Sequence, residues 1–156
     1  MKEQFKTIIL PKLPIVGQLK ILTTTSDIIF TINIIANEPQ TPDTDFSIRC
    51  YREFQSYLCG QSQKINLPSM IYQKSEFQIK ILNEINKISY GEKKTYKEIG
   101  ESINSRAYQA IGSVCRTNPL ILLYPCHRVI GKKNSLQYIG GEIMKKNLHH
   151  LESSTL

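Results

Sequence analysis

The stretch YPCHRVIG, residues 124–131, sets Cys126 between Pro125 and His127 in an otherwise apolar run. A sulfur in that place can pack, bind a metal, join a disulfide or attack an electrophile. Packing is the ordinary reading, because a free cysteine behaves as a small buried hydrophobe. Its neighbours point toward chemistry. Pro125 fixes its own φ and donates no hydrogen bond, so the chain at Cys126 is held in a turn-like shape. His127 and Arg128 place two polar, potentially cationic groups beside the sulfur, which favours thiolate over thiol. Adjacent side chains on an extended chain point to opposite faces, so Cys126 and His127 couple only if the chain bends or a water bridges them. A carboxylate must then orient the imidazole, and Glu152 in KKNLHHLE is the candidate, since the helical stretch 142–152 carries few others.

Spacing argues against metal. Cys50, Cys59, Cys115 and Cys126 form no C-x-x-C pair, ten residues separate the last two, and the remaining histidines are His149 and His150. No metal and no cofactor is expected. With no apolar leader preceding these scattered cysteines, free thiols in a reducing compartment are expected. No run approaches the ~20 apolar residues that cross a bilayer.

The elements that must position these groups can be read from composition and periodicity. The 156 residues suit one domain or two small ones. Net charge is +7 and uneven: residues 1–73 carry seven Lys/Arg against six Asp/Glu, residues 74–156 thirteen against seven. An anionic partner would be drawn to the second half, although acidic proteins, membranes or a merely solvated basic face fit the same imbalance. GQLKILTT and IIFTINII, rich in β-branched residues and separated by TSD, predict a hairpin. After the loop NEPQTPDTD, the spacing of Ile48, Tyr51, Phe54 and Leu58 predicts an amphipathic helix that stops at Gly60. GQSQKINLPSMIYQK, residues 60–74, reads as a linker, with a domain boundary near 73.

Beyond it the pattern is helical. Phe77, Ile81, Ile85 and Ile88, widened by Leu82, make one stripe. TYKEIGESI opens with a Thr95/Glu98 capping box and sets Tyr96, Ile99 and Ile103 on one face. A tight turn follows, with Asn104 or Ser105 able to cap the helix AYQAIGSVCR, which ends before Asn118-Pro119. Two short helices joined by a tight turn in a basic segment form the helix-turn-helix pattern, which many ordinary helical hairpins share. If it binds DNA, Ala107, Ala110, Ile111 and Val114 face inward. Arg106, Tyr108, Gln109, Ser113 and Arg116 face the duplex, with Arg128 beside the cysteine as a further cation. PLILLYPCHRVI then reads as a buried strand leading to Cys126.

These blocks, in this order, resemble the O6-alkylguanine-DNA alkyltransferases. PCHRV (125–129) matches the family signature, and the likeness extends to LPIVGQLKILTT, SEFQIKILNEINKISYGEKKTYKEIGESI, QAIGSVCRTNPLILLYPCHRVI and YIGGEIMKKNLHHLE. The resemblance implies an α/β (α+β) protein: a small N-terminal ribonuclease-H-like α/β domain (1–73) and a C-terminal domain of winged helix-turn-helix type (74–156). It implies direct, irreversible, single-turnover transfer of an alkyl group from O6 of guanine in double-stranded DNA to Cys126, after the base is flipped out of the stack. By the same resemblance, His127 acts through a water as base, Glu152 orients it, and Asn118 buttresses the site. Tyr96 assists base rotation and the leaving base, while Val129, Tyr138 and Gly140 line the pocket, with Cys115 and Ile139 beside them. A monomer in the cytoplasm, or in the nucleus of a eukaryote, is expected, without a membrane partner.

Departures from the pattern are local. Where the family carries an arginine in RAVG, this chain has QAIG, and Gln109 is shorter and uncharged, so slower flipping is expected, offset by Arg106. Leu82 stands for a tryptophan, Ser89 for a proline, Gln137 for a glycine and Ile139 for a small residue, which bears on substrate range. A lesion binder without catalysis, or a helix-turn-helix regulator, is the alternative; it has no need of Cys126, His127 and Glu152 together. A cysteine hydrolase, which would turn over, is a third.

Overall fold

In the computed structural model, which describes residues 4–132 and 137–155, the chain alternates a small sheet with helices. Strands β1 (Phe5–Ile9), β2 (Gln18–Thr24) and β3 (Ile29–Ile35) form an antiparallel sheet in the order β1-β2-β3. The predicted hairpin is β2–β3, with Ile21 opposite Ile32. Asp27 takes the left-handed conformation in the turn, at φ 61°, which aspartate tolerates better than most residues. β1, not anticipated from the sequence, pairs along the other edge of β2.

Helix α1 (Asp45–Leu58) starts at a Thr44/Ser47 capping box and ends before Gly60, whose φ of 72° lets the chain leave the helix. Its buried face is Phe46, Cys50, Phe54, Tyr57 and Leu58. The predicted face is therefore rotated: Ile48 lies in solvent at 37% exposure and Tyr51 is half-buried. The 3–4 spacing fits both registers, and the sheet selects the one that buries three aromatic rings. A Cβ at Gly60 would come within 2.6 Å of the Thr155 side chain, so the end of α1 docks closely on the C-terminal helix.

The segment read as a linker is pinned to the sheet. Ile29 N–H donates to Pro68 O and Met70 N–H to Ile29 O, both at 2.9 Å. Further along β3, Ile32 N–H donates to Pro119 O at 2.7 Å, so the same strand also holds the Asn118-Pro119 corner.

Helix α2 (Glu76–Asn86) buries Ile81, Leu82 and Ile85, and Ile88 is buried just beyond it, whereas Phe77 is 38% exposed. Strand β4 (Lys94–Thr95) leads into α3 (Tyr96–Ser102), whose Thr95/Glu98 capping box is present on both sides. Helix α4 (Tyr108–Arg116) follows and crosses α3 tightly, since a Cβ at Gly100 would sit 2.6 Å from Ser105 O. Its N-cap is Ala107, with no side-chain cap, in place of the expected Asn104 or Ser105. Asn104 turns the chain at φ 55°, and Ser105 Oγ accepts from Ala107 N–H instead. Ala107 is consequently exposed and off the inner face, which is made by Ile111, Gly112, Val114 and Cys115.

The predicted strand before the cysteine is a buried turn. Leu120, Ile121 and Leu122 are buried as expected, but the chain reverses at Leu122 (φ 68°) and makes only isolated bridges. Apolar content forecast the burial and could not distinguish strand from buried loop. Cys126–Arg128 then form one 3-10 turn, and Val129–Ile130 (β5) pair in parallel with β4. Helix α5 (Glu142–Ser154) closes the chain.

Two apolar clusters result. One gathers the sheet and α1 with Leu120, Ile121, Leu122 and Leu148; the other gathers α2, α3 and α4 around Cys115, Cys126 and Val129. Among the described residues no helix is long and apolar enough to cross a membrane.

Candidate active site

Cys126 sits where the two clusters meet, 2% exposed, at the start of the 3-10 turn. Asn118 Nδ2 donates to its Sγ at 3.1 Å and to Tyr124 O at 2.8 Å, while Asn118 Oδ1 accepts from Leu120 N–H at 2.9 Å. One side chain thus fixes the sulfur and both ends of the preceding turn. Asn118 is itself held by the β3 contact of Pro119.

Burial pushes the Cys126 thiol up to about 11, against the opposing hydrogen bond of Asn118 and the charge of Lys145. The expectation that His127 and Arg128 would favour thiolate is overturned: desolvation dominates, and the guanidinium is committed elsewhere. The resting sulfur is a neutral thiol.

The 3-10 turn is the bend that adjacency required. It carries His127 inward to full burial, where Nε2 meets Glu152 Oε1 at 2.7 Å. Burial, outweighing the pull of Glu152, lowers the imidazole below its ordinary value, so it is neutral at neutral pH. With Nε2–H donated to a carboxylate, Nδ1 carries the lone pair. His127 Nδ1 and Tyr138 Oη are the two buried side-chain polar atoms without a partner among the described residues. Their rings stand edge to face with centroids 6.3 Å apart. A pair of unspent groups beside a buried thiol is unusual, because buried polar groups are nearly always satisfied.

Glu152 is the hub. Its carboxylate accepts from His127, from Arg128 Nε and Nη2 at 2.9–3.1 Å, from Gly91 N–H at 3.1 Å and from the Tyr57 hydroxyl. Burial alone would raise its pKa, but the bonds from His127 and Arg128 prevail and hold it well below the usual carboxylate range. Arg128 is therefore corrected from a DNA-facing cation to an interior one. It is 8% exposed, its Nη1 donates to Ile88 O at 2.7 Å, and its guanidinium lies 5.7 Å from the centre of the Tyr90 ring.

Other expected residues gather around this core. Val129 and Cys115 are buried in the cluster that holds Cys126, with burial raising Cys115 to about 12. Tyr96 is half-buried on the same side, its hydroxyl pushed up by burial. Gly140 packs against Met144, Ile34 and Tyr138, whereas Ile139 is 47% exposed. Arg106, Tyr108, Gln109, Ser113 and Arg116 are all exposed along α4 and its approach. Sequence reasoning missed Tyr57, Gly91 and Lys145. The last is 1% exposed and its Nζ donates to Val129 O at 2.6 Å and Gln137 O at 3.1 Å, tying β5 to the loop before Tyr138. No local signal marks any of them. Among the described residues no group of three His, Cys, Asp or Glu could hold a metal ion.

Comparison with known proteins adds to this geometry. Residues 76–154 match the model described as 6-O-methylguanine DNA methyltransferase, DNA binding domain. An inducible methylated-DNA–protein-cysteine methyltransferase of Bacillus subtilis is 39% identical over 102 residues, 64% of this chain and 56% of that relative. One of Methanosarcina barkeri is 36% identical over 107 residues, 67% of each. Among solved structures, the Mycobacterium tuberculosis O6-methylguanine methyltransferase superposes with a TM-score of 0.84 at 26% identity, covering 98% of this chain and 95% of that one. The same organism's OGT in complex with DNA superposes at 0.81, with 26% identity and coverage of 97% and 93%.

Proposed function

The chain belongs to the 6-O-methylguanine DNA methyltransferase family, and from that premise we propose that it repairs DNA by moving an alkyl group from O6 of guanine in a duplex to Cys126. The observation that carries the reading is a buried thiol held by Asn118 next to a neutral imidazole whose Nδ1 is unspent and whose Nε2 is locked to Glu152.

The chemistry balances without a cofactor. The Cys126 proton leaves through a bridging water to His127 Nδ1, and Sγ attacks the sp3 carbon of the alkyl group. The C–O6 bond breaks, its electron pair returns to the purine, and the proton ends on N1 as O6 becomes a carbonyl. A thiol near 11 suits this sequence: it is quiet at rest and ionises only as a base and an electrophile are both in place. Tyr96, beside the sulfur, and the Tyr138 hydroxyl are the donors placed to assist the departing base. The product is a thioether, whose C–S bond a base-activated water does not displace at an sp3 carbon, so each molecule acts once.

Duplex DNA carrying O6-alkylguanine is the partner. α4 presents Gln109, Ser113 and Arg116 to it, Arg106 stands in the turn just ahead, and the uncapped first turn of α4 leaves amides for a phosphate. Reaching the buried sulfur requires the base to leave the stack, at a cost of a few kcal/mol. The protein acts as a monomer in the compartment that holds the genome, residues 1–73 forming the α/β domain and 74–156 the DNA-binding, alkyl-accepting one.

Intact-mass analysis after incubation with an O6-methylguanine duplex tests the reading. One methyl on the Cys126 peptide, stoichiometric and then complete, is expected. Unchanged mass with tight DNA binding would make the protein a lesion binder, and repeated turnover would make it a hydrolase.

A further inference from the structure

Tyr57 brings the first half of the chain into a network otherwise built from the second. It lies on α1, 95 residues before Glu152, and is 2% exposed. Its hydroxyl donates to Glu152 Oε1 and stands 3.3 Å from His127 Nε2. Its ring meets Tyr90 edge-on, centroids 5.8 Å apart at 88°, and Tyr90 in turn underlies the Arg128 guanidinium. Packing alone does not require the hydroxyl: Phe54, one turn earlier on the same buried face, fills its space with a plain ring. A buried hydroxyl is costly unless bonded, and this one is aimed at the oxygen that also holds the base.

We propose that Tyr57 is a positioning residue for alkyl transfer, its hydroxyl sharing Glu152 Oε1 with His127 and thereby setting how strongly Glu152 pulls on the imidazole. The inference rests on the alkyl-transfer reading. Each donor on Oε1 disperses its charge. With Tyr57 and Arg128 both attached, Glu152 orients Nε2–H without over-stabilising the imidazolium, and Nδ1 keeps its lone pair. The charged and titratable groups facing His127 are Glu152, Arg128 from the 3-10 turn, Lys145 and His149 from α5, Tyr138 from the preceding loop, and Cys126. Of these, Glu152 takes the Tyr57 hydroxyl directly and Arg128 lies within its field, so a change at position 57 reaches His127 chiefly through Glu152. Removing the hydroxyl concentrates the Glu152 charge on His127, so the imidazole holds a proton to higher pH and the base is lost sooner on acidification.

Single-turnover methyl transfer from a saturating O6-methylguanine duplex, followed against pH, tests this in wild type, Tyr57→Phe and protein carrying 3-fluorotyrosine at position 57. Tyr57→Phe is expected to move the acid limb up by about one pH unit, about tenfold in rate on the acid side, with duplex affinity unchanged. The fluorinated ring keeps the shape and donates more strongly, so its limb moves the other way; it decides the matter alone if Tyr57→Phe does not fold. A purely structural tyrosine would lower thermal stability and leave the limb in place. Wild-type transfer with superimposable limbs in the variants overturns the role of Tyr57. A wild-type protein that takes up no methyl overturns the alkyl-transfer reading itself, and this inference with it.

Discussion

The surroundings of Glu152 and the outer face of α4 are built on opposite terms. Around Glu152, donors from α1, the loop at Gly91 and the 3-10 turn converge on one carboxylate, all but the half-buried Gly91 excluded from solvent. On α4 and just ahead of it, the side chains of Arg106, Gln109 and Arg116 are exposed and make no hydrogen bond among the described residues. Groups that must hold a geometry are prepaid by folding, whereas groups that must meet a mobile, solvated polymer keep their bonding capacity for it. Substitutions in the first region should register in stability and rate together, and those in the second in DNA affinity alone.

The largest break comes from Glu152→Gln. It strands the buried Arg128, for about 3–5 kcal/mol, which lowers the melting temperature by roughly 10 °C in a chain of this size; methyl uptake should fail in the same protein. Acid titration sharpens the point. Glu152 is ionised in the fold at pH values where an unfolded glutamate is protonated, so its contribution is present above about pH 4.5 and lost as pH falls. In Glu152→Gln that acid-side slope of stability should flatten. Asn118→Ala comes next: it leaves Leu120 N–H without its partner, takes one of two donors from Tyr124 O and releases Sγ, for about 1–3 kcal/mol. Thermal melts and single-turnover rates should both fall. Arg116→Ala should leave the melting temperature within about 0.5 kcal/mol of wild type and reduce the salt slope of duplex binding by about 1; a matching loss of stability would erase the contrast. Gln109→Arg is the smallest: faster transfer from a modified duplex, with unchanged melting, is expected, and no gain in rate or affinity would show that Gln109 already suffices.

Much of the site was legible because motif residues cluster in the chain. Cys126, His127 and Asn118 lie within ten positions of one another, and Glu152 ends a helix with few other carboxylates. What escaped arrives from far away. Tyr57 lies on the helix face whose register the sheet decided, and Lys145 has the exposed-looking neighbours of an ordinary basic helix until β5 covers it. Arg128 was misread for a related reason: adjacency to a nucleophile says nothing about which way a 3-10 turn throws the next side chain. The apolar run 119–125 forecast burial without forecasting the turn at Leu122, since hydrophobicity records what water is excluded from and not the path of the backbone.

The order in which a ribosome delivers these parts follows from their places in the chain. Tyr57 emerges early, Cys126 much later, and Glu152 another 25 residues after His127. At ~5–20 residues per second that final interval lasts one to a few seconds. Until α5 docks, His127 lacks the carboxylate that fixes which ring nitrogen carries its proton. The thiol is quieted by α2–α4, but its base is set only when the α5 carboxylate arrives.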